Sequence, residues 1–287
     1  MEFAPGNQTT PYEARRFTEF LHARFTGVAP SGIVSGKIPR KAFLKSFGIK
    51  VPETLMEFCG PDAIDFAKLP PRFVLKPVNL CFCQGVYLLE RQGGHFFELI
   101  RQKHFTPEEV IADLKAVFES LKLAETPMFA EELVVGENGA MQIPLDYKFW
   151  MFGETIGAIL QVNRNTHPNE ITHLNSGFAP MPEGKIIPGT RPQGVPVLPA
   201  NAATMIEAAK KISRQLETPF CSVDLYTTGQ DVYFGELSPT PGVPYYGRIF
   251  RLSEGFDFYL GSLWKEGCLQ RGLPIPQITS PPPVLVT

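Results

Sequence analysis

The stretch CSVDLYTTGQDVYFGELSPTPG, residues 221–242, decides how this chain is read. Two β-rich runs, 220–226 and 232–238, flank the turn-forming TTGQD and predict a hairpin. Pairing about residue 230 sets Asp224 against Glu236 and Ser222 against Ser238. Side chains alternate along a strand, so these four share one face, and Val223, Leu225, Tyr233 and Leu237 point the other way. Facing carboxylates on an apolar-backed sheet repel each other and call for a cation between them. Oxygen-only ligands suit Mg²⁺ better than zinc, and Mg²⁺ held by one or two carboxylates usually also binds phosphate. Taken alone, the same residues also read as a surface hairpin with two solvated acids.

Working outward, NAATMIEAAKKISRQL upstream predicts a helix capped by Asn201, and a last helix runs from about Ser253 to Gly267. LDYKFWMF and TIGAILQV predict a second hairpin, turning at Gly153-Glu154. Further back lie the strands RFVLK (72–76), GVYLLE (85–90) and HFFELI (95–100), the last two joined by QGG, and another strand at 128–135. TPEEVIADLKAVFESLK is a helix with Thr106 as N-cap, Pro107 at its first position and Glu109 completing a capping box. Short amphipathic helices are expected at 11–25, with Phe17, Phe20, Leu21 and Phe25 at helical spacing, and at 38–47. Residues 164–200, with seven prolines and four glycines, read as a long loop over a site or partner, and the tail PPPVLVT as extended. Strands grouped before and after helices indicate an α+β architecture with antiparallel sheets.

Composition narrows the classes. At 287 residues the chain can build one large or two medium domains. A net charge of −2 argues against nucleic acid or anionic membrane as the main partner. No apolar run approaches the roughly 20 residues a bilayer span needs, and the N-terminus lacks a signal pattern. Five cysteines in a long chain fit a reducing cytoplasm, and the CxC of Cys81 and Cys83 has no second pair at zinc spacing.

Several polar residues stand out against apolar surroundings. Lys76 ends the strand FVLK, where its neighbours predict burial and a lysine needs an anionic partner. Lys41, on the helix beginning near Ile38, offers a second cation. Asp146, Lys148 and Trp150 share one strand face, with Tyr147, Phe149 and Met151 on the other. Each lysine alone reads more often as a snorkelling surface residue; three beside a two-carboxylate metal site shift that balance, because polyphosphate with Mg²⁺ needs both.

In this order the motifs resemble the ATP-grasp superfamily. The matching elements are Lys41, the strand lysine in FVLKP (Lys76), the acidic hinge AEELVVGE, the DYKF strand and the closing pair VDLY and VYFGEL. The closest branch is the one associated with teichuronopeptide and cell-surface polymer biosynthesis, which combines an LPxxFVLKP run, a Glu-Glu-Leu hinge, DYKF and a VDLY…FGEL ending. The resemblance covers roughly residues 35–265. It implies two α+β subdomains clasping the nucleotide, placed here at 41–135 and 136–270 between a short N-terminal segment (1–40) and a Pro-rich tail (271–287).

Carried over by position, the resemblance implies that Lys41 and Lys76 contact the α- and β-phosphates. The segment after Glu131, with Leu133, lines the adenine, and Glu132 or Glu137 holds the ribose. Asp224 and Glu236, with Ser238 as a weaker ligand, hold Mg²⁺. Lys148 and Arg164 lie near the transferred phosphoryl group or the acceptor. The implied reaction moves the γ-phosphoryl group of ATP to a carboxylate, and an amine then attacks the acylphosphate, giving an amide, ADP and phosphate. The implied acceptors are an amino acid, a small peptide or a sugar acid, in a cytoplasmic enzyme that could dimerise through its Phe-rich first helix.

Three departures qualify this. The lid after the strand lysine reads VNLCFCQGV, keeping only Gly85 where glycines admit phosphate, so Leu80, Cys81 and Phe82 make it bulkier. Ser222 stands where the family often has an arginine that stabilises the acyl intermediate, a role left to Arg164, Arg248 or Arg251. Ser238 replaces a metal-binding asparagine, which leaves a second Mg²⁺ open. The competing readings are a kinase of the same fold, and a degenerate nucleotide-binding or scaffold protein.

Overall fold

The computed structural model describes residues 14–27, 36–80, 83–123, 126–137, 143–243 and 247–278. Its first half runs α1 (Phe17–Phe25), α2 (Lys37–Ser46), β1 (Thr54–Phe58), β2 (Arg72–Pro77), β3 (Tyr87–Gln92), β4 (His95–Glu98), β5 (Lys103–Phe105), α3 (Pro107–Ser120) and β6 (Met128–Glu131). The second adds β7 (Asp146–Phe152), β8 (Thr155–Asn163), β9 (Glu170–Leu174), β10 (Ile186–Pro188), α4 (Ala202–Arg214), β11 (Phe220–Thr227), β12 (Val232–Ser238), β13 (Phe250–Leu252) and α5 (Glu254–Gln270).

The first sheet is antiparallel, in the order β1-β6-β2-β3-β4-β5. Period-two alternation gives it two characters. Phe73, Leu75, Tyr87, Leu89, Met128 and Ala130 form a core with Val110, Leu114 and Phe118 of α3. The residues between them, Val74, Lys76, Leu88, Phe129 and Glu131, line a cleft on the opposite side. Helix α3 opens as expected. Thr106 N–H donates to Glu109 Oε2 at 2.7 Å, and Glu109 N–H donates to Thr106 Oγ1 at 3.2 Å. Strand β6 is shorter than the expected 128–135, because beyond Glu131 the backbone leaves the ladder and Glu132 N–H donates to Glu53 O at 2.8 Å. The strands β1 and β5 were not anticipated.

The second sheet is also antiparallel, in the order β12-β11-β7-β8-β9. Tyr147, Phe149, Met151, Val223 and Leu225 pack under Met205, Ala209 and Ile212 of α4. On the other face Trp150, Phe152 and Phe220 pack against Phe17 and Phe20 of α1 and Trp264 of α5. Phe20 stacks on Trp264 with ring centroids 5.2 Å apart. Gly261 allows this closeness, since a Cβ there would lie 1.9 Å from Arg15 O.

Several expectations need correction. Residues 14–16 are not helical and 11–13 lie outside the described residues, so α1 is shorter than 11–25; Phe17, Phe20 and Leu21 are covered with α5 of the same chain, while Phe25 is exposed. The 164–200 segment is not a structureless loop: β9 completes the second sheet, and β10 pairs with β13 in a separate ribbon. Asn201 occupies the N-cap position of α4, but its Oδ1 accepts from Thr227 Oγ1 at 2.8 Å and caps nothing. The tail PPPVLVT lies outside the described residues.

Candidate active site

The hairpin that opened the sequence reading forms in the expected register through its key pairs, with Ser222 opposite Ser238 and Asp224 opposite Glu236. A bulge follows. Leu225 pairs with Phe234, so Gly235 is extra, and Phe234 rather than Tyr233 joins Val223, Leu225 and Leu237 in the core. Glycine is required there, because a Cβ would lie 2.7 Å from the ring of Tyr226. Tyr233 turns out beneath the Lys50 ammonium, 5.0 Å from it. On its other side β11 pairs with β7, which places Lys148 across from Asp224. Glu236, Asp224 and Lys148 therefore form one row across three strands.

Charges along this wall are tightly matched. Lys148 Nζ reaches Asp146 Oδ2 at 2.8 Å and also pairs with Asp224, while Arg164 donates to Asp146 Oδ2 at 3.0 Å. Burial pushes the Asp146 carboxyl up, but the charges of Lys148 and Arg164 outweigh it and hold the group below the usual carboxylate range. Asp224 shares one cation and faces Glu236, and burial raises it to about 7. Burial works against the Lys148 ammonium too, yet Asp146 and Asp224 keep it firmly protonated. Ser222, fully buried, donates to Asp224 Oδ1 at 3.0 Å.

Across the cleft, Glu131 is the hub. Lys41 Nζ lies 2.8 Å from its Oε2 and Lys76 pairs with its Oε1. Both ammonium groups also sit 5.5 Å from the Phe129 ring centroid. Burial lowers the pKa of Lys41, with Glu131 opposing. Beyond the charges the cleft turns apolar, lined by Val74, Leu88, Leu133, Val134 and Ile143, and it encloses about 1110 Å³ including space open to solvent.

The structure thus brings Lys41, Lys76, Glu131, Glu132, Leu133, Lys148, Arg164, Asp224 and Glu236 to one cleft. It does not bring Glu137, Ser238 or Arg248 to its lining. Glu137 is exposed beside Gly229, Ser238 faces Ser222 one rung beyond the carboxylates, and Arg248 is exposed, as is Arg251 on β13. In the lid, Leu80 packs into the core of the first sheet and Cys83 lines the cleft; Cys81 and Phe82 lie outside the described residues. Sequence reasoning missed Lys37, Arg40 and Tyr226, which also line the cleft. Lys37, Arg40 and Lys41 fall at i, i+3 and i+4 on α2, so they share a helix face, and that spacing could have found them.

The donor set can be tested against Mg²⁺. Among the described residues no group of three or more His, Cys, Asp or Glu side chains could hold a metal. Asp224 and Glu236 offer two oxygen ligands side by side at the cleft. That is too few for an all-protein cage and fits an ion completing its shell with water and phosphate.

Two antiparallel sheets facing each other across a cleft of lysines and paired carboxylates define the ATP-grasp fold. A family described as TupA-like ATPgrasp matches residues 41–265, and the chain belongs to it. Similar solved structures include a D-alanine–D-alanine ligase from Helicobacter pylori (17% identity, TM-score 0.46, 80% of this chain and 57% of that one). Another is the Bacillus anthracis D-alanine–D-alanine ligase complexed with ATP (16%, 0.48, 83% and 67%). A third is a RimK domain ATP-grasp protein from Sphaerobacter thermophilus (16%, 0.45, 86% and 69%). The chain spans 57% of the length of the first. No curated protein matches it. Among the described residues no helix is long and apolar enough to cross a membrane.

Proposed function

We propose that this protein is an ATP-dependent carboxylate–amine ligase. The observation that carries the reading is the Glu236–Asp224–Lys148 row facing Lys41 and Lys76 in a cleft with an apolar end. The adenine lies against Val74, Leu88, Leu133 and Ile143, with Glu132 near the ribose. Lys41 and Lys76 exchange Glu131 for the α- and β-phosphates. Asp224 and Glu236 would hold Mg²⁺, which would neutralise phosphate charge. Lys148 and Arg164 orient the γ-phosphoryl group and the acceptor carboxylate.

Transfer breaks the bond between Pγ and its bridging oxygen, leaving the electron pair on ADP, as a carboxylate oxygen bonds to Pγ. The amine nitrogen then attacks the acyl carbon, the C–O bond breaks to release phosphate, and the nitrogen loses its proton to solvent. Bridging a buried cleft by ion pairs suits this chemistry, since phosphoryl transfer needs positioning and charge more than covalent assistance. Residues 41–135 and 136–270 serve as the two halves of the clasp. The order LPxxFVLKP, Glu-Glu-Leu, DYKF and VDLY…FGEL supports a substrate from cell-surface polymer biosynthesis, with an amino acid, peptide or sugar acid as acceptor.

The test is thermal unfolding with a non-hydrolysable ATP analogue, with and without Mg²⁺. Analogue at 100 times its dissociation constant should add about 2.7 kcal/mol, and Glu236→Gln, at a half-exposed position, should keep its fold and lose the Mg²⁺-dependent part. Phosphate released in step with ADP from an acid and an amine then marks the ligase; phosphate retained on the product marks a kinase. No stabilisation in any combination would overturn the nucleotide site.

A further inference from the structure

Asp224 is held from two sides. Its Oδ2 pairs with Lys148, which also serves Asp146, and its Oδ1 accepts from Ser222 Oγ at 3.0 Å. The two partners differ in where they stand. Lys148 lines the cleft beside Asp224 and Glu236, whereas Ser222 is fully buried and is not part of the lining. Its place is fixed by the sheet. Ser222 and Asp224 alternate along β11 and so share a face, and β11 is paired on both sides. Ser222 lies opposite Ser238 on β12 and Trp150 on β7. Among the described residues its hydroxyl donates to Asp224 alone.

The two contacts also differ in what an anionic ligand would do to them. Lys148 carries its ammonium on a flexible four-carbon stem and shares it between two carboxylates. A phosphoryl group arriving in the cleft would compete for that charge. A hydroxyl one carbon from the backbone of a central strand has no such freedom. With Lys148 drawn toward phosphate, the Ser222 bond is what keeps the Asp224 carboxyl from turning about its last torsion, whose own preferences are broad. Anchored through Oδ1 from outside the cleft, the carboxylate keeps its other oxygen for what the cleft holds.

We propose that Ser222 is a positioning residue for the metal: its hydroxyl fixes the Asp224 carboxylate so that Asp224 and Glu236 take a divalent cation together with the nucleotide. This rests on the nucleotide reading given above. Ser222 touches neither the cation nor the phosphates, gives up no proton and acts only through Asp224. Outer partners that orient a metal-binding carboxylate in this way are worth about 10- to 100-fold in metal affinity.

The experiment is calorimetric titration of the wild type, Ser222→Ala and Ser222→Thr with ADP, each in Mg²⁺ and in a chelator. The ratio of the two affinities reads the metal's share alone. The expected result is a fall of about 10-fold in that ratio in Ser222→Ala, with the affinity in chelator held within about twofold. Ser222→Thr keeps the hydroxyl and should restore the ratio to near the wild-type value. If the alanine variant does not fold, Ser222→Cys, similar in size and a much weaker donor, carries the comparison. An unchanged ratio overturns the proposal, and so does an equal fall in the alanine and threonine variants, which assigns position 222 to packing. A wild type that binds ADP equally in Mg²⁺ and in chelator removes the metal site beneath the proposal, and one that binds no ADP removes the nucleotide reading as well. A normal wild-type ratio that the variants leave unchanged removes Ser222 alone.

Discussion

Lys148 holds two buried carboxylates at once, and its charge is what makes their proximity bearable. Removing one partner of a buried ion cluster leaves the others uncompensated and costs about 3–5 kcal/mol. Lys148→Met should therefore lower the unfolding free energy from urea denaturation at neutral pH by that much; an unchanged value would mean that Asp146 and Asp224 are relieved some other way. His173 makes the opposite case. It is buried against the Phe250 ring at 4.5 Å with neither ring nitrogen bonded among the described residues, and burial lowers its pKa to about 4. The unfolded chain takes up the proton near pH 6.5, the folded one only near 4, so the stability this neutral imidazole contributes is lost as pH falls through that window. At about 1.4 kcal/mol per pKa unit the loss is roughly 3 kcal/mol. Denaturation at pH 7 and pH 4 should show the wild type falling by that amount relative to His173→Gln, and parallel curves would refute it. The lysines and carboxylates were legible as residues out of keeping with their surroundings. Their partners were not: nothing near Lys41 or Lys76 in sequence points to Glu131, because Lys76 meets it across neighbouring strands and Lys41 reaches it from a helix, each far from it in the chain.

At the scale of elements, the legible pieces were those whose periodicity sustains itself. Helix α3 carries its start signal in four residues, and the capping box is present. Thr106→Ala should cost about 1 kcal/mol in thermal unfolding and leave nucleotide binding unchanged. A loss of binding would tie α3 to the cleft, from which the β2–β3–β6 layer separates it. The strands β5, β10 and β13 have three residues each, too few for alternation to register, and they exist because a neighbouring strand offers a ladder. β9, five residues long, was hidden among prolines that lie outside it. The bulge at Gly235 escaped for a different reason. Regular pairing and bulged pairing use the same residue types, and the tie is broken by the Tyr226 ring against the glycine.

At the scale of the whole molecule, the chain order of motifs showed the fold class and the cleft's composition, while the three-way packing of α1, α5 and the second sheet was invisible. The sequence presented α1 as an amphipathic piece that could pack on a partner. In the structure Phe17 and Phe20 are fully buried and Leu21 nearly so, wedged between Trp264 and Phe220. A fragment restricted to residues 41–265 should therefore express as an aggregating or molten species, with near-ultraviolet dichroism lost and dye-accessible apolar surface. A cooperative unfolding transition for that fragment would contradict this packing.

The same helix has a consequence for how the protein can be compared and divided. The stretch recognisable by descent starts at residue 41, but the stretch that must be synthesised together starts earlier, at α1, and also takes in Lys37 and Arg40 of α2. Any catalogue of relatives trimmed to the shared stretch would discard part of the keystone of the second sheet.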